Sequence, residues 1–294
     1  MAVYKRTYKA YTGAVTPHWS RFGVLARYGL KTLFSSRPFT AYAVLCLIPF
    51  LVCLVFIYVV HSASVQALLN INFGRTPIIN NYWFLAFLGF EAWMSFILTA
   101  WGAPGMISKD FANHSIQLYL SRPLSRVEYL LGKVSVLAIL LSSTTWIPAL
   151  ILFVVQAQLQ GNGWGWTNLW LAGSIVVAAL LGIALISLLA MALAVWVRWR
   201  IAATALMFGT FFLLPAFGGI VDLILRTHWG RLLNFPYVMM VIWSSLFRVN
   251  AQQRHLAQFD ELPLWSAWAT VFVVCGICVW LLERRLKARE VEHG

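Results

Sequence analysis

Long runs of apolar residues alternate with short polar segments along the whole chain. Each run is long enough to cross the roughly 30 Å hydrocarbon core of a bilayer as a helix. The runs lack the residue-by-residue alternation of apolar and polar side chains that a membrane β-barrel needs. The pattern predicts an all-α polytopic membrane protein with six spans at about 39–61, 82–104, 127–156, 168–197, 201–225 and 264–283.

A further helix is predicted ahead of the first span, at about 17–37. Ala26 and Leu33 belong to an apolar set at helical spacing, whereas Arg21 and Lys31 fall elsewhere on the wheel. This pattern is typical of an amphipathic helix that lies on the inner membrane surface. The alternative is a disordered basic tail.

The segment at about 230–262 is apolar in its middle but too short there to cross a bilayer. A re-entrant or interfacial helix outside the cell fits this length. The sequence contains no internal repeat and no soluble domain. Residues 1–294 are therefore predicted to form a single transmembrane domain.

The basic residues predict the orientation of the chain. Of its 22 Lys and Arg residues, seventeen lie in segments on the same side of the membrane as the N-terminus. They are Lys5, Arg6, Lys9, Arg21, Arg27, Lys31, Arg37, Lys109, Arg122, Arg126, Lys133, Arg198, Arg200, Arg284, Arg285, Lys287 and Arg289. The five on the other side are Arg75, Arg226, Arg231, Arg248 and Arg254. Because cytoplasmic segments carry the excess of Lys and Arg, both termini are predicted to be cytoplasmic.

Composition agrees with membrane lipid as the surrounding solvent, since 61% of the residues are hydrophobic and only 11% are charged. The formal net charge of +13 does not indicate a nucleic-acid partner, because the basic residues collect at the ends of apolar runs. Cys275 and Cys278 form a CxxC inside an apolar run with no His or acid beside it, which favours packing over metal binding. We expect no cofactor and no metal in this chain.

Glu91 is an acid in the middle of the second span. An ionised carboxylate facing lipid is costly, so this side chain should face other helices or a wet cavity, or be protonated. It is either an intramembrane polar contact between helices or part of the lining of a solute path. Asp222 lies near the end of the fifth span and is expected to pair with Arg226 four residues on.

A polar island at 108–133 separates the second and third spans. Ser108 is expected to cap a short helix at about 108–120, with Asp110 complementing the helix dipole in its first turn. Pro123 should end that helix. Ser125 and Glu128 then form a capping box that starts the third span. The island is thus predicted to be a rigid elbow on the cytoplasmic side.

The run Ser121-Arg122-Pro123-x-Ser125-Arg126, followed by Gly132-Lys133 and a span, resembles permease subunits of ABC transporters of the type-2 export class. It is similar to the six-span permeases grouped with copper-enzyme maturation and multidrug export. The resemblance implies that the island is the coupling helix, which docks on a separate ATP-binding subunit. The implied interface residues are Asp110, Phe111, His114, Gln117, Leu118, Arg122, Pro123 and Arg126.

The resemblance also implies a translocation path between two permease copies, as a homodimer or a heterodimer, in a bacterial inner membrane. The chain has no G-x-x-x-x-G-K-[ST] loop for phosphate, and no H-E-x-x-H or G-x-S-x-G motif. We therefore predict that it is not an enzyme and that ATP and magnesium bind to the partner ATPase. An ion-coupled secondary transporter is the alternative, for which Glu91 is the clear ionisable candidate.

The orientation predicts the outcome of reporter fusions. Fusions after Arg200 and after Arg289 should report cytoplasm, and a fusion near Gln252 should report the outside, because of the distribution of basic residues. A cytoplasmic signal at Gln252 would contradict the six-span arrangement.

Overall fold

The computed structural model describes residues 21–70, 79–112, 126–197, 199–250, 252, 254 and 262–291. Within these ranges all regular structure is helical. The helices are α1 (Arg21–Phe34), α2 (Arg37–Leu45), α3 (Ile48–His61), α4 (Ala63–Leu69), α5 (Asn81–Ala112), α6 (Arg126–Thr144), α7 (Trp146–Gln160), α8 (Trp164–Thr167), α9 (Leu169–Trp196), α10 (Arg200–Leu225), a 3-10 helix (Trp229–Leu233), α11 (Phe235–Leu246) and α12 (Leu264–Val291).

Six helical stretches of the described chain are long and apolar enough to cross a membrane, which confirms the predicted six-span, all-helical architecture. Span one consists of α2 and α3, and span three consists of α6 and α7. Each of the other spans is a single helix or part of one. In chain order the spans are Arg37–His61, Asn81–Met106, Glu128–Gln160, Leu169–Trp196, Arg200–Leu225 and Leu264–Arg285.

Span four is the central helix of the bundle. In its most apolar stretch 67% of the residues are buried, against 11% in span five. The small residues Ala178, Gly182, Ala190 and Ala194 are all buried. Small side chains let neighbouring helices approach closely, which is the main source of packing between helices in lipid. Span five, by contrast, leaves most of its apolar surface free for lipid or a second protein.

Span three is broken at Thr145, between α6 and α7. Pro148 lacks an N–H and cannot donate to the carbonyl of Thr144, four residues earlier. The Thr145 N–H and the Thr145 hydroxyl both donate to the carbonyl of Leu141, at 3.0 and 2.7 Å. The break therefore follows from one proline, and it puts two threonine hydroxyls in the middle of a span.

The chain after span five turns back alongside it. The backbones of Gly218 and Gly230 touch, and Gly218 lies seven residues, or about 10 Å, before the end of the span. The Asp222 carboxylate accepts a hydrogen bond from the Gly230 N–H at 2.6 Å and one from the Thr227 hydroxyl at 3.4 Å. The expected ion pair with Arg226 was wrong, because the hydrogen bonds of this carboxylate come from Gly230 and Thr227 instead.

Helix α11 begins beside the middle of span five and ends beside the first residue of span two. The rings of Phe235 and Phe211 are 6.2 Å apart, and Phe211 lies fourteen residues, or about 21 Å, from the end of span five. At the other end of α11, Asn81 Nδ2 donates to the carbonyl of Phe247 at 2.7 Å. With twelve residues, α11 is about 18 Å long.

Both ends of α11 have polar partners. Asn234 Oδ1 accepts from the Tyr237 N–H at 3.1 Å, and Pro236 has no N–H to satisfy. At the C-terminal end, the Ser174 hydroxyl donates to the carbonyl of Leu246 at 2.8 Å. These bonds allow a helix end to be buried among apolar side chains without unpaired backbone groups.

Helix α1 packs against the bundle near the junction of spans two and three. Ala26 and Leu33 are buried, and Gly29 lies against Val136 of span three. Tyr28 remains 66% exposed on the other side. The apolar positions predicted for this helix therefore contact protein, at least in part.

The contact between Gly218 and Gly230 predicts a strong effect of adding one methyl group. Gly218→Ala should lower the melting temperature in detergent, by an amount equivalent to about 1–3 kcal/mol, because its Cβ would overlap the Gly230 carbonyl. Gly219→Ala is the matched control, since a Cβ there meets nothing within 4 Å. Equal melting temperatures for the two variants would contradict this packing.

Candidate functional site

Helix α5 continues six residues past the end of span two, to Ala112. Ser108 therefore lies inside a continuous helix, and the prediction that it caps a new helix was wrong. Asp110 and Phe111 are in the last described turn, and Arg126 is the first residue of α6. The side chains of these three residues, and all of His114, Gln117, Leu118, Arg122 and Pro123, lie outside the described part of the structure.

The continuity of α5 needs an explanation, because Pro104 lies inside it. A proline removes the donor to the carbonyl four residues earlier, here that of Ala100. The Thr204 hydroxyl of span five donates to that carbonyl at 3.0 Å. Arg200 Nη2, also from span five, donates to the next carbonyl, that of Trp101, at 3.3 Å. We call these two hydrogen bonds the Pro104 contact.

The Pro104 contact joins the first turns of span five to the end of span two that leads to the polar island. Gly105 makes room for it, since a Cβ there would lie 3.3 Å from Arg200 Nε. A donor from a neighbouring helix is a known way to keep a proline-containing membrane helix intact. Span five therefore supports the stretch of α5 that carries Asp110 and Phe111.

Span three contacts the same region. Lys133 Nζ donates to the carbonyl of Met106 at 3.4 Å and lies 5.7 Å from the centre of the Tyr129 ring. The last turn of span two is thus held from span five and from span three. Because α1 also packs on span three here, three elements surround this end of span two, namely span five, span three and α1.

Glu91 lies at the centre of a second polar group. It is fully buried, and neither carboxylate oxygen has a hydrogen-bond partner among the described residues. The Tyr42 hydroxyl of span one donates to the carbonyl of Met94, three residues along α5 from Glu91, at 3.4 Å. One turn along α5, the hydroxyls of Ser95 and Thr144 are 3.2 Å apart. Spans one, two and three therefore meet around a small set of polar side chains.

An apolar cavity of about 360 Å³ lies on another side of α5. Its walls come from spans two, four and five and from α11. Glu91 is not part of the lining, although Phe90 and Ala92 are. The lining consists of Ala86, Gly89, Phe90, Ala92, Trp93, Phe96, Gly182, Leu185, Ile186, Phe211, Phe235, Pro236, Met239, Met240 and Trp243.

Sequence reasoning missed the Pro104 contact. The unsatisfied acceptor could have been predicted, because a proline within a span always leaves the carbonyl four residues earlier without its backbone donor. The partners Thr204 and Arg200 are about a hundred residues away, and no local pattern links them to Ala100 and Trp101. Among the described residues, no group of three or more His, Cys, Asp or Glu side chains could hold a metal ion.

These features define a polytopic helical protein with six candidate membrane spans, and the family comparison adds its class. The model of the ABC-2 family transporter proteins matches residues 97–285, which is more than half of the chain. The chain belongs to this family of non-catalytic membrane permeases. A search of curated proteins found no match.

The Pro104 contact predicts a double-mutant result. Thr204→Val should reduce the free energy of unfolding by about 0.6–1.7 kcal/mol, the average and the maximum for hydrogen bonds between membrane helices. In a Pro104→Ala background the loss should shrink, because the alanine restores a backbone N–H that can reach the Ala100 carbonyl. Equilibrium unfolding in mixed micelles measures both.

Thr210→Val is the matched control on the same span. Its hydroxyl donates within its own helix, to the carbonyl of Met207 at 2.8 Å, so its loss should not depend on residue 104. An equal cost of Thr204→Val in both backgrounds would show that the Thr204 hydroxyl does not replace the proline-deleted donor.

Proposed function

We propose that this chain forms, as a dimer, the translocation path of an ATP-driven exporter and couples to a separate ATP-binding subunit through the polar island at 108–133, with the coupling helix at about 108–120. ABC-2 permeases work with ATP-binding subunits. The observation that carries the proposal is the length of α5, which forms part of the cavity wall at Phe90 and continues to Ala112, inside this segment. One helix thus joins the two regions.

The supports around α5 make it suitable for transmitting movement. Thr204 and Arg200 hold it from span five, and Lys133 holds it from span three. A displacement of the coupling segment would then be shared with both spans and would not be absorbed at Pro104. The proposed contacts with the ATP-binding subunit are made by Asp110, Phe111, His114, Gln117, Leu118, Arg122, Pro123 and Arg126.

The second permease copy is supported by the exposed apolar surface of span five, of which little is buried within one chain. The apolar and aromatic walls of the cavity favour a lipid-like or amphiphilic cargo. We also propose that the segment containing α11 is re-entrant, and that Glu91 is a polar contact among spans one to three. We also propose that the chain lies in a bacterial inner membrane with both termini in the cytoplasm.

Exchanging Asp110 with Arg126 tests the coupling segment while net charge is kept. The exchange should insert normally and should lower permease-dependent ATP hydrolysis in reconstituted vesicles, because charges at an interface set register and partner choice. The isolated ATP-binding subunit should keep its basal hydrolysis.

The matched control exchanges Glu283 with Arg284 at the end of span six, on the same predicted side. This control should leave the permease-dependent rate unchanged. A full rate for the Asp110–Arg126 exchange, with the ATP-binding subunit still bound, would mean that the segment only orients the chain.

A further inference from the structure

The apolar cavity of about 360 Å³ is elongated along span two and α11. Its wall on span two runs from Ala86 to Phe96, ten residues or about 15 Å apart. Its wall on α11 runs from Phe235 to Trp243, eight residues or about 12 Å apart. Span five contributes Phe211, which is buried within the chain and is not part of the exposed face of that span. The cavity therefore lies inside one permease copy.

The walls of the cavity suit hydrocarbon and reject a charged group. None of the described residues that line it carries a charge, a hydroxyl or an amide side chain. A polar group buried there would lose its hydrogen bonds with water and gain none from these side chains. Met239 and Met240 of α11 are flexible and let that wall follow the contour of a bound apolar group. A polar head must therefore stay outside the cavity.

The two ends of the cavity differ. Aromatic rings close one end, where the ring centres of Phe96 and Phe211 are 4.3 Å apart and those of Phe211 and Phe235 are 6.2 Å apart. The other end is at Ala86, in the second turn of span two and close to the membrane surface. Tyr82 lies one turn before Ala86 on the same face of the helix and is 39% exposed. A headgroup can lie at this second end, with an apolar chain running toward the rings.

We propose that the cavity binds a single-chain amphiphile, with the chain end at Phe96 and Phe211 and the polar head beside Tyr82. The cavity is near the low end of the range of roughly 300–1,000 Å³ for small-molecule pockets, and its elongated shape suits one extended chain. A two-chain lipid would leave its second chain outside, because this volume does not hold both. As a cargo site this cavity rests on the proposed export function, whereas the binding of a chain does not.

Photocrosslinking of the full-length permease in nanodiscs tests the site and its direction. Two lysophosphatidylcholine probes carry a diazirine, one at the end of the acyl chain and one beside the headgroup. Mass spectrometry should place the end-tagged probe on Phe96, Phe211 and Phe235 and the head-tagged probe on residues 82–86. A phosphatidylcholine with the same end-tagged chain should label the three phenylalanines less.

A variant that fills the cavity tests whether the chain occupies it. Ile186 of span four is buried and lines the cavity, so Ile186→Trp should lower labelling by the end-tagged probe. The loss should be about tenfold, the factor expected when roughly two CH₂ groups lose their burial. Leu180→Trp is the matched control, because Leu180 is on the same span, is 50% exposed and is not among the lining residues. The melting temperature of each variant checks its folding.

The same labelling pattern from the two lysophosphatidylcholine probes would overturn the proposal, and this comparison needs no variant. Equal labelling of the three phenylalanines by the two-chain probe, or unchanged labelling of a folded Ile186→Trp, would also overturn it. The experiment contains no ATP-binding subunit, so these results would leave the proposed coupling untouched. A failure of the proposed export function would show instead as a lack of permease-dependent ATP hydrolysis while the cavity is still labelled.

Discussion

Every backbone N–H and C=O inside a membrane needs a partner within the protein, and this structure depends on how that need is met where the helices are interrupted. Pro104 removes the donor for Ala100, and a hydroxyl from span five replaces it. Helix α11 ends among other helices because Asn81 and Ser174 bind its last carbonyls. The tertiary contacts that position the functional regions are therefore the same contacts that satisfy the backbone.

This arrangement gives α5 three roles along one helix. Its first half forms a wall of the apolar cavity and carries the buried Glu91 on another side. Its end is held by spans three and five next to the segment proposed to contact the ATPase. A broken helix at Pro104 would separate these regions mechanically. A supported helix lets a movement at Ala112 reach the cavity wall.

The six spans could be predicted because apolar runs of sufficient length have few alternatives in a chain of this composition. The burial of Glu91 also followed from the cost of exposing a carboxylate to lipid. The start of a helix at Ser108 was wrong for a physical reason. Thr204 donates to the Ala100 carbonyl that Pro104 leaves without a backbone donor, so α5 continues through Ser108 and no new helix begins there. Only the tertiary structure shows that partner. Asp222 was paired with Arg226 from their spacing along the helix, whereas the returning chain places the Gly230 N–H within hydrogen-bond distance of it.

Amide hydrogen exchange across Pro104 tests the account most directly. In the wild-type permease in nanodiscs, the amides of residues 105–112 should exchange slowly, like those of the preceding turns of span two, because one supported helix contains them all. Fast exchange at 105–108 followed by slow exchange from about 109 would contradict the account. That result would mean that span two ends at Pro104 and that a separate helix begins at Ser108.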